Sequence, residues 1–169
     1  MTSLRPPQPT DIEVLQQQNF PAEAGDQNWH GFRSPGDLTS RINSGELIGE
    51  HGGLLAVVDD AGQVVGDVSW NRMLNGPPPN GYCWNVGVWI APEHRGKGHG
   101  AEAQRQLAAY LFANTYFERV EASTEIDNVG EQRALGKAGF TREGVLRKAC
   151  FRDGEWRDMV MFSKLRGEK

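Results

Sequence analysis

Arg95, Gly96, Lys97, Gly98, His99 and Gly100 place three glycines at alternate positions among three side chains that carry or can acquire positive charge. Just before them, Val86, Val88 and Ile90 alternate with Gly87, Trp89 and Ala91 as a partly buried strand does, and Pro92 ends the pairing. After them the chain becomes Ala-rich and reads as a helix from about residue 98 to 114, with Ala103, Leu107, Ala108, Leu111 and Phe112 on one side and Glu102, Arg105 and Gln106 on another. The first turn of a helix has N–H groups without intrahelical partners and carries the positive end of the helix dipole, so an anion can dock there. Glycine keeps β-carbons out of the way of a phosphate. Two better-known phosphate loops fit less well. The spacing is G-x-G-x-G rather than G-x-G-x-x-G, and no Ser or Thr follows the Gly-Lys pair.

Composition narrows the class of protein. The 169 residues make one domain's worth of chain, long enough to bury about two-thirds of its unfolded surface without staples, and residues 1–169 are read as a single domain. There is no apolar run of membrane-spanning length, and the start Met1-Thr2-Ser3-Leu4-Arg5 lacks the apolar core of a secretory signal, so a cytoplasmic protein is expected. A net charge of -4 argues against general nucleic-acid binding and suits a protein that collects cationic amines. Cys83 and Cys150 stand far apart without metal-ligand spacing, so neither a disulfide framework nor a metal site is expected.

The elements that position the turn can be read in order. Thr10 with Glu13 makes a capping box for a helix over about residues 11–18, with Ile12 and Leu15 as its buried stripe. Ser34-Pro35 starts a second helix that continues through Leu38 and Ile42 to a stop near Gly45. Between them, Trp29 and Phe32 read equally as packing under a loop and as a wall of an acceptor pocket. Residues 54–58 and 63–70 form a hairpin, and the proline run at 77–79 is a loop. Residues 82–91 are the strand before the glycine turn. Residues 119–125 are a further strand, Asn128 caps a helix that ends at Gly139, and residues 145–151 and 156–162 pair across Asp153-Gly154. With Leu4-Arg5, before Pro6, Pro7 and Pro9, read as a short extended segment, the order is strand, two helices, three strands, helix, strand, helix, two strands.

The glycine turn resembles the acetyl-CoA binding motif of the GNAT superfamily of N-acetyltransferases, in which Arg or Gln is followed by two residues, Gly, one residue, then Gly or Ala. Arg95, Gly98 and Gly100 occupy those positions. Glu102-Ala103, Asn128 eleven residues before Gly139-Phe140, and Glu143-Gly144 through Arg147 leading to Asp158 extend the resemblance toward the ribosomal-protein-alanine N-acetyltransferase branch. The resemblance implies an α+β (α/β three-layer) GNAT fold, a mixed central sheet flanked by helices. It further implies that the turn amides hold the CoA pyrophosphate, with Arg95, Lys97 and His99 adding charge beside Gly96, Gly98 and Gly100. The strand through Val88, Trp89 and Ile90 would pair with the pantetheine arm and bulge near Val88 or Trp89, where a backbone N–H would polarise the thioester carbonyl. Asn128 would contact pantetheine while capping its helix, and Lys137 would meet a CoA phosphate.

The implied reaction is attack of a free amine on the acetyl-CoA thioester in a ternary complex. It needs a proton acceptor for the amine and benefits from a donor to the thiolate. The family's glutamate and tyrosine positions are occupied by Ser123 and Leu135, and another frequent acidic position by Asn85. A water chain from Glu125, Ser123 or Asn85 is the substitute read here. His30 and His51 are weaker candidates as bases, and His94 is read as a surface residue. The expected acceptor is a small-molecule primary amine. The alternatives are a peptide or protein N-terminus, and a non-catalytic acetyl-CoA sensor. Exposed loops and the final strands would suit a homodimer.

Overall fold

A computed structural model describes residues 1–20 and 35–168. Trp29, His30 and Phe32 fall outside the described residues. In chain order the elements are β1 (Ser3–Arg5), α1 (Ile12–Gln16), α2 (Pro35–Ser44), β2 (Ile48–Gly49), β3 (Gly52–Val58), β4 (Val64–Leu74), β5 (Tyr82–Ile90), α3 (His99–Asn114), β6 (Arg119–Glu125), α4 (Val129–Lys137), β7 (Thr141–Arg152) and β8 (Glu155–Leu165). Single 3-10 turns at Pro9–Asp11 and Gln17–Asn19 flank α1, and another at Pro92–His94 follows β5. The strands form one mixed eight-stranded sheet in the order β1-β3-β4-β5-β6-β8-β7, with β2 added on β3. Among the described residues only the β5–β6 pair is parallel. The expected α+β architecture is therefore present, with one two-residue strand, β2, that periodicity does not reveal.

Helices cover both faces of this sheet because its strands alternate. Leu55 and Val57 of β3, Val65 and Val68 of β4 and Trp84 and Val86 of β5 point toward Ala103, Leu107, Ala108 and Leu111 of α3 and Leu135 of α4. Ala56, Val58 and Val64 point the other way, onto Leu15 and Ile42 with Ile12 and Leu38. Each fully buried leucine of this kind contributes about 1.5–3 kcal/mol. The apolar stripe predicted for α3 is the buried one, with Gln104 as an added polar member that is fully buried.

The start of α1 differs from the expected capping box. The Asp11 carboxylate, not Glu13, reaches back: it accepts the Gln8 N–H at 2.7 Å and two guanidinium nitrogens of Arg5 at 2.6 and 2.9 Å. Pro9 favours the first position of a turn, so the box forms two residues earlier than Thr10 would place it, and the chain enters α1 through a 3-10 turn. The last two strands run longer than expected at both ends, and β7 carries extra residues between Leu146 and Cys150, opposite Met159 and Arg157.

Candidate active site

β5 and β6 lie side by side at only two positions, Trp84 with Val120 and Asn85 with Glu121. On its other edge β5 stays in continuous register with β4, from Tyr82 opposite Leu74 to Ile90 opposite Gly66. A gap therefore opens along residues 86–90, on the β6 side alone. The Ala91 N–H bonds the Val65 carbonyl at 2.9 Å. Backbone groups alternate sides along an antiparallel strand, so Trp89 and Gly87 face β4 while Val88 and Ile90 face the gap. Of the two backbone donors expected near the thioester, only that of Val88 is aimed into the opening. The expected strand bulge is not seen; the divergence of β5 from β6 makes the opening instead. The Ile90 carbonyl accepts the Arg95 Nε–H at 2.8 Å, which folds the arginine back over the strand end.

The glycine turn stands at the end of this gap. Gly96 and Gly98 have φ of 74° and 90°, left-handed backbone where a β-carbon is strained, and Gly98 is the N-cap of α3. No atom lies within 4 Å of where a β-carbon would stand at either position, so the space over the helix start is open. The helix ladder begins with the Glu102 N–H on the Gly98 carbonyl, which leaves the N–H groups of residues 99–101 outside it. Lys97 is exposed. His99 is half-buried, with Nδ1 3.0 Å from the Thr2 hydroxyl. His94 is not a surface residue as read from sequence: its side chain is 14% exposed and its ring stands edge-on to that of His99.

Across the gap from α3, the Asn128 side-chain oxygen accepts the Glu131 N–H at 3.2 Å and so caps α4, a bond that does not use its amide nitrogen. Leu135, which the sequence resemblance places at a tyrosine position, is fully buried in the core beneath the sheet. Lys137 is exposed at the opposite end of α4, about 12 Å along the axis from its start.

Asn85, Ser123 and Glu125 share the sheet face opposite α3, because their neighbours Trp84, Val120 and Ala122 point into the α3 core. Asn85 is half-buried and Ser123 exposed. Glu125 is buried, and its two oxygens receive Nε and Nη2 of Arg152 at 2.5 and 2.7 Å. Both carboxylate oxygens are thus taken by one guanidinium, a bidentate charge-assisted pair. Its geometry is that of a strut between β6 and the β7–β8 hairpin. The arginine lies 27 residues away in sequence, so no local pattern signals the pair.

Two further features escaped the sequence. Asp67 of β4, directly opposite Trp89, is buried on this same face, and burial pushes its carboxyl up to about 7 against a 2.7 Å bond from Gln18. A charged residue at an inward position of the run 64–68 was the available signal. The extra residues of β7, with Lys148 at φ 49° and its N–H on the Asp158 carboxylate at 2.8 Å, shape a groove of about 670 Å³ lined by Val145, Leu146, Arg147, Lys148 and Asp158. His51 is exposed. Among the described residues no group of side chains could hold a metal ion, and no helix is long and apolar enough to cross a membrane.

Comparison with known proteins bears on this geometry. A family model described as "Acetyltransferase (GNAT) domain" matches residues 2–141. A probable N-acetyltransferase of Bacillus subtilis, YjcK, is 33% identical over 108 residues, which cover 64% of this chain and 57% of that protein. The chain thus spans little more than half the length of that relative. Among solved structures, spermidine N-acetyltransferase from Vibrio cholerae in complex with CoA and spermine superposes with a TM-score of 0.81 at 19% identity, covering 99% of this chain and 96% of that one. Ribosomal-protein-S5-alanine acetyltransferase from Vibrio fischeri superposes with a TM-score of 0.75 at 22% identity, covering 98% and 93%.

Proposed function

The chain belongs to the GNAT acetyltransferase family, and from that premise we propose that it transfers the acetyl group of acetyl-CoA to the primary amine of a small molecule, by direct attack in a ternary complex. The single observation that carries this reading is the gap between β5 and β6 that ends on the glycine turn at the start of α3. The amides around Gly96, Gly98 and Gly100 take the pyrophosphate, with Arg95, Lys97 and His99 beside them. The edge of β5 at Val88 and Ile90, where the backbone faces the gap, takes the pantetheine arm, while Trp89 pairs with β4. There the Val88 N–H faces the thioester carbonyl as an oxyanion donor does. Asn128 spends its oxygen on the helix cap and offers its amide nitrogen to the arm. Lys137, at the far end of α4, is left for a more distant phosphate.

A thioester is already activated, so holding the two substrates in attack geometry can supply roughly 7–11 kcal/mol of the barrier. The amine approaches from the face that carries Asn85 and Ser123, where water held by these side chains relays its proton to solvent. Glu125 supports that face through Arg152.

A peptide N-terminus is the second reading of the acceptor. It is favoured by the groove along β7, which is continuous with the exposed apolar side chains of Val145 and Leu146. Incubation with labelled acetyl-CoA and a panel of polyamines, amino-acid amides and short peptides separates the two. Acetylated polyamines or amino-acid derivatives support the first reading, and acetylated peptides alone support the second. CoA bound tightly with no product from any amine would leave a sensor and refute both.

A further inference from the structure

β5 and β6 run parallel, so the helices that follow them, α3 and α4, start at the same edge of the sheet. Met159 stands opposite Glu125, the last residue of β6, and Leu146 stands opposite Met159. Asp158 and the part of β7 beyond Leu146 therefore project past the end of β6, at the edge where both helices begin. There β7 leaves its register, with residues 147–149 facing Asp158 alone. Lys148 takes a left-handed φ of 49°, which side chains disfavour, and the Asp158 carboxylate holds this kink by accepting the Lys148 N–H at 2.8 Å. The Asp158 carbonyl accepts the Ile126 N–H at 3.0 Å. One residue thus ties the kink to the turn that leads to Asn128.

The kink presents two cations. Arg147 and Lys148 are exposed and line the groove with Val145, Leu146 and Asp158. Arg152 and Arg157 of the same hairpin are spent on the carboxylates of Glu125 and Glu155. Among the described residues, neither the Arg147 guanidinium nor the Lys148 ammonium has a hydrogen-bond or ion-pair partner. The Asp158 carboxylate, the groove's own negative charge, is turned to the Lys148 N–H. A guanidinium offers a planar pair of donors that matches a carboxylate, and the ammonium adds a point charge beside it. A polyamine would meet like charge here.

We propose that this groove is an anion subsite for the acceptor, and that it takes the acidic side chain of a peptide whose N-terminal amine lies at the gap. The inference rests on the acetyl-transfer reading and, within it, on a peptide acceptor. The groove lies between β8 and β7, on the far side of β6 from the gap. That is roughly two strand spacings, or about 10 Å. An extended peptide advances about 3.3 Å per residue, so the side chain of about its third residue reaches the groove. The carboxylate there bonds Arg147 and Lys148 while its methylene stem lies on Val145 and Leu146.

The test uses amidated tetrapeptides that carry Glu or Gln at position 2, 3 or 4 and are otherwise identical, with wild type and the double variant Arg147→Gln, Lys148→Gln. Wild type is expected to favour Glu over Gln by about 10-fold or more in kcat/KM, mostly through KM and most strongly at position 3. The double variant should lose that preference and keep its KM for acetyl-CoA. Asp158→Asn, which keeps an acceptor for the kink, should retain most of the preference, and Asp158→Ala should lose it. Equal use of Glu and Gln peptides by wild type would overturn the proposal, as would a preference that survives in the double variant. A double variant impaired only in KM for acetyl-CoA would give the two cations to a CoA phosphate, which also overturns it. Acetylation of polyamines with every peptide refused overturns it as well, but leaves acetyl transfer standing. If wild type turns over no amine, the acetyl-transfer reading fails, and fluorescence anisotropy of labelled, N-acetylated Glu and Gln peptides decides the groove. Tighter binding of the Glu peptide by wild type than by the double variant supports the anion subsite, and equal binding overturns it.

Discussion

Asn85 and Glu121 are the last residues at which β5 and β6 run side by side. Beyond them β5 continues five residues to Ile90 along β4 alone, and the chain then enters the glycine turn. The end of this parallel contact thus sets where the gap opens, on the strand that leads into the turn before α3.

The fit of β4 on β5 allows no β-carbon at Gly66. One built there would stand 2.1 Å from the Trp89 carbonyl oxygen, a backbone atom that no rotamer change can move. Gly66→Ala is expected to destabilise the protein by roughly 3 kcal/mol, read as a lower urea midpoint. At Gly100 the same β-carbon would lie 3.7 Å from Ile90 Cγ1, an ordinary contact. Gly100→Ala should therefore fold with unchanged or higher stability.

Glu125 and Arg152 act as a buried pair, and each single removal strands a charge. Glu125→Gln and Arg152→Met should each cost about 3–5 kcal/mol in denaturant melts, and the double variant much less than the sum. A Glu125→Gln protein of wild-type stability with abolished turnover would instead make Glu125 a base.

Asp67 makes stability depend on pH. Its carboxyl is pushed up to about 7 by burial, above the 3.8 of an unburied aspartate, so the folded state binds the proton more tightly than the unfolded chain. Stability should therefore be greatest below the unfolded value, fall as pH rises from 3.8 to about 7, and level off above. Asp67→Asn keeps an acceptor for Gln18 and removes the titration. Its melting temperature should exceed that of wild type at pH above about 7 and vary less across the window. An unchanged slope in the variant would place the titration elsewhere.

Much of this architecture is written locally. Glycine at 96, 98 and 100, the cap at Asn128 and the Asp153-Gly154 turn each act within a few residues, and the elements they bound were legible. The gap was not, because it depends on where two strands separated by α3 stop pairing. The Glu125–Arg152 strut joins residues 27 apart, and Gln104 hides as one polar residue in an apolar helical stripe. The α1 cap lies two residues early because Pro9 takes the first position of the turn, and Arg5, outside the helix pattern, supplies Asp11 with a partner. The turn could be read as a donor site from sequence, whereas the groups that move protons depend on burial, which sequence expresses poorly.

The most direct measurement is calorimetric titration of acetyl-CoA into wild type and Gly98→Asp. The substitution puts bulk and negative charge over the start of α3, where space is open, and so should spare the fold apart from the cost of a left-handed non-glycine residue, about 1–2 kcal/mol. Wild type is predicted to bind one acetyl-CoA per chain. The variant is predicted to lose at least ~100-fold in affinity, about 2.7 kcal/mol, with an unchanged circular dichroism spectrum. Equal affinity in the two folded proteins would contradict the placement of the CoA pyrophosphate on this turn.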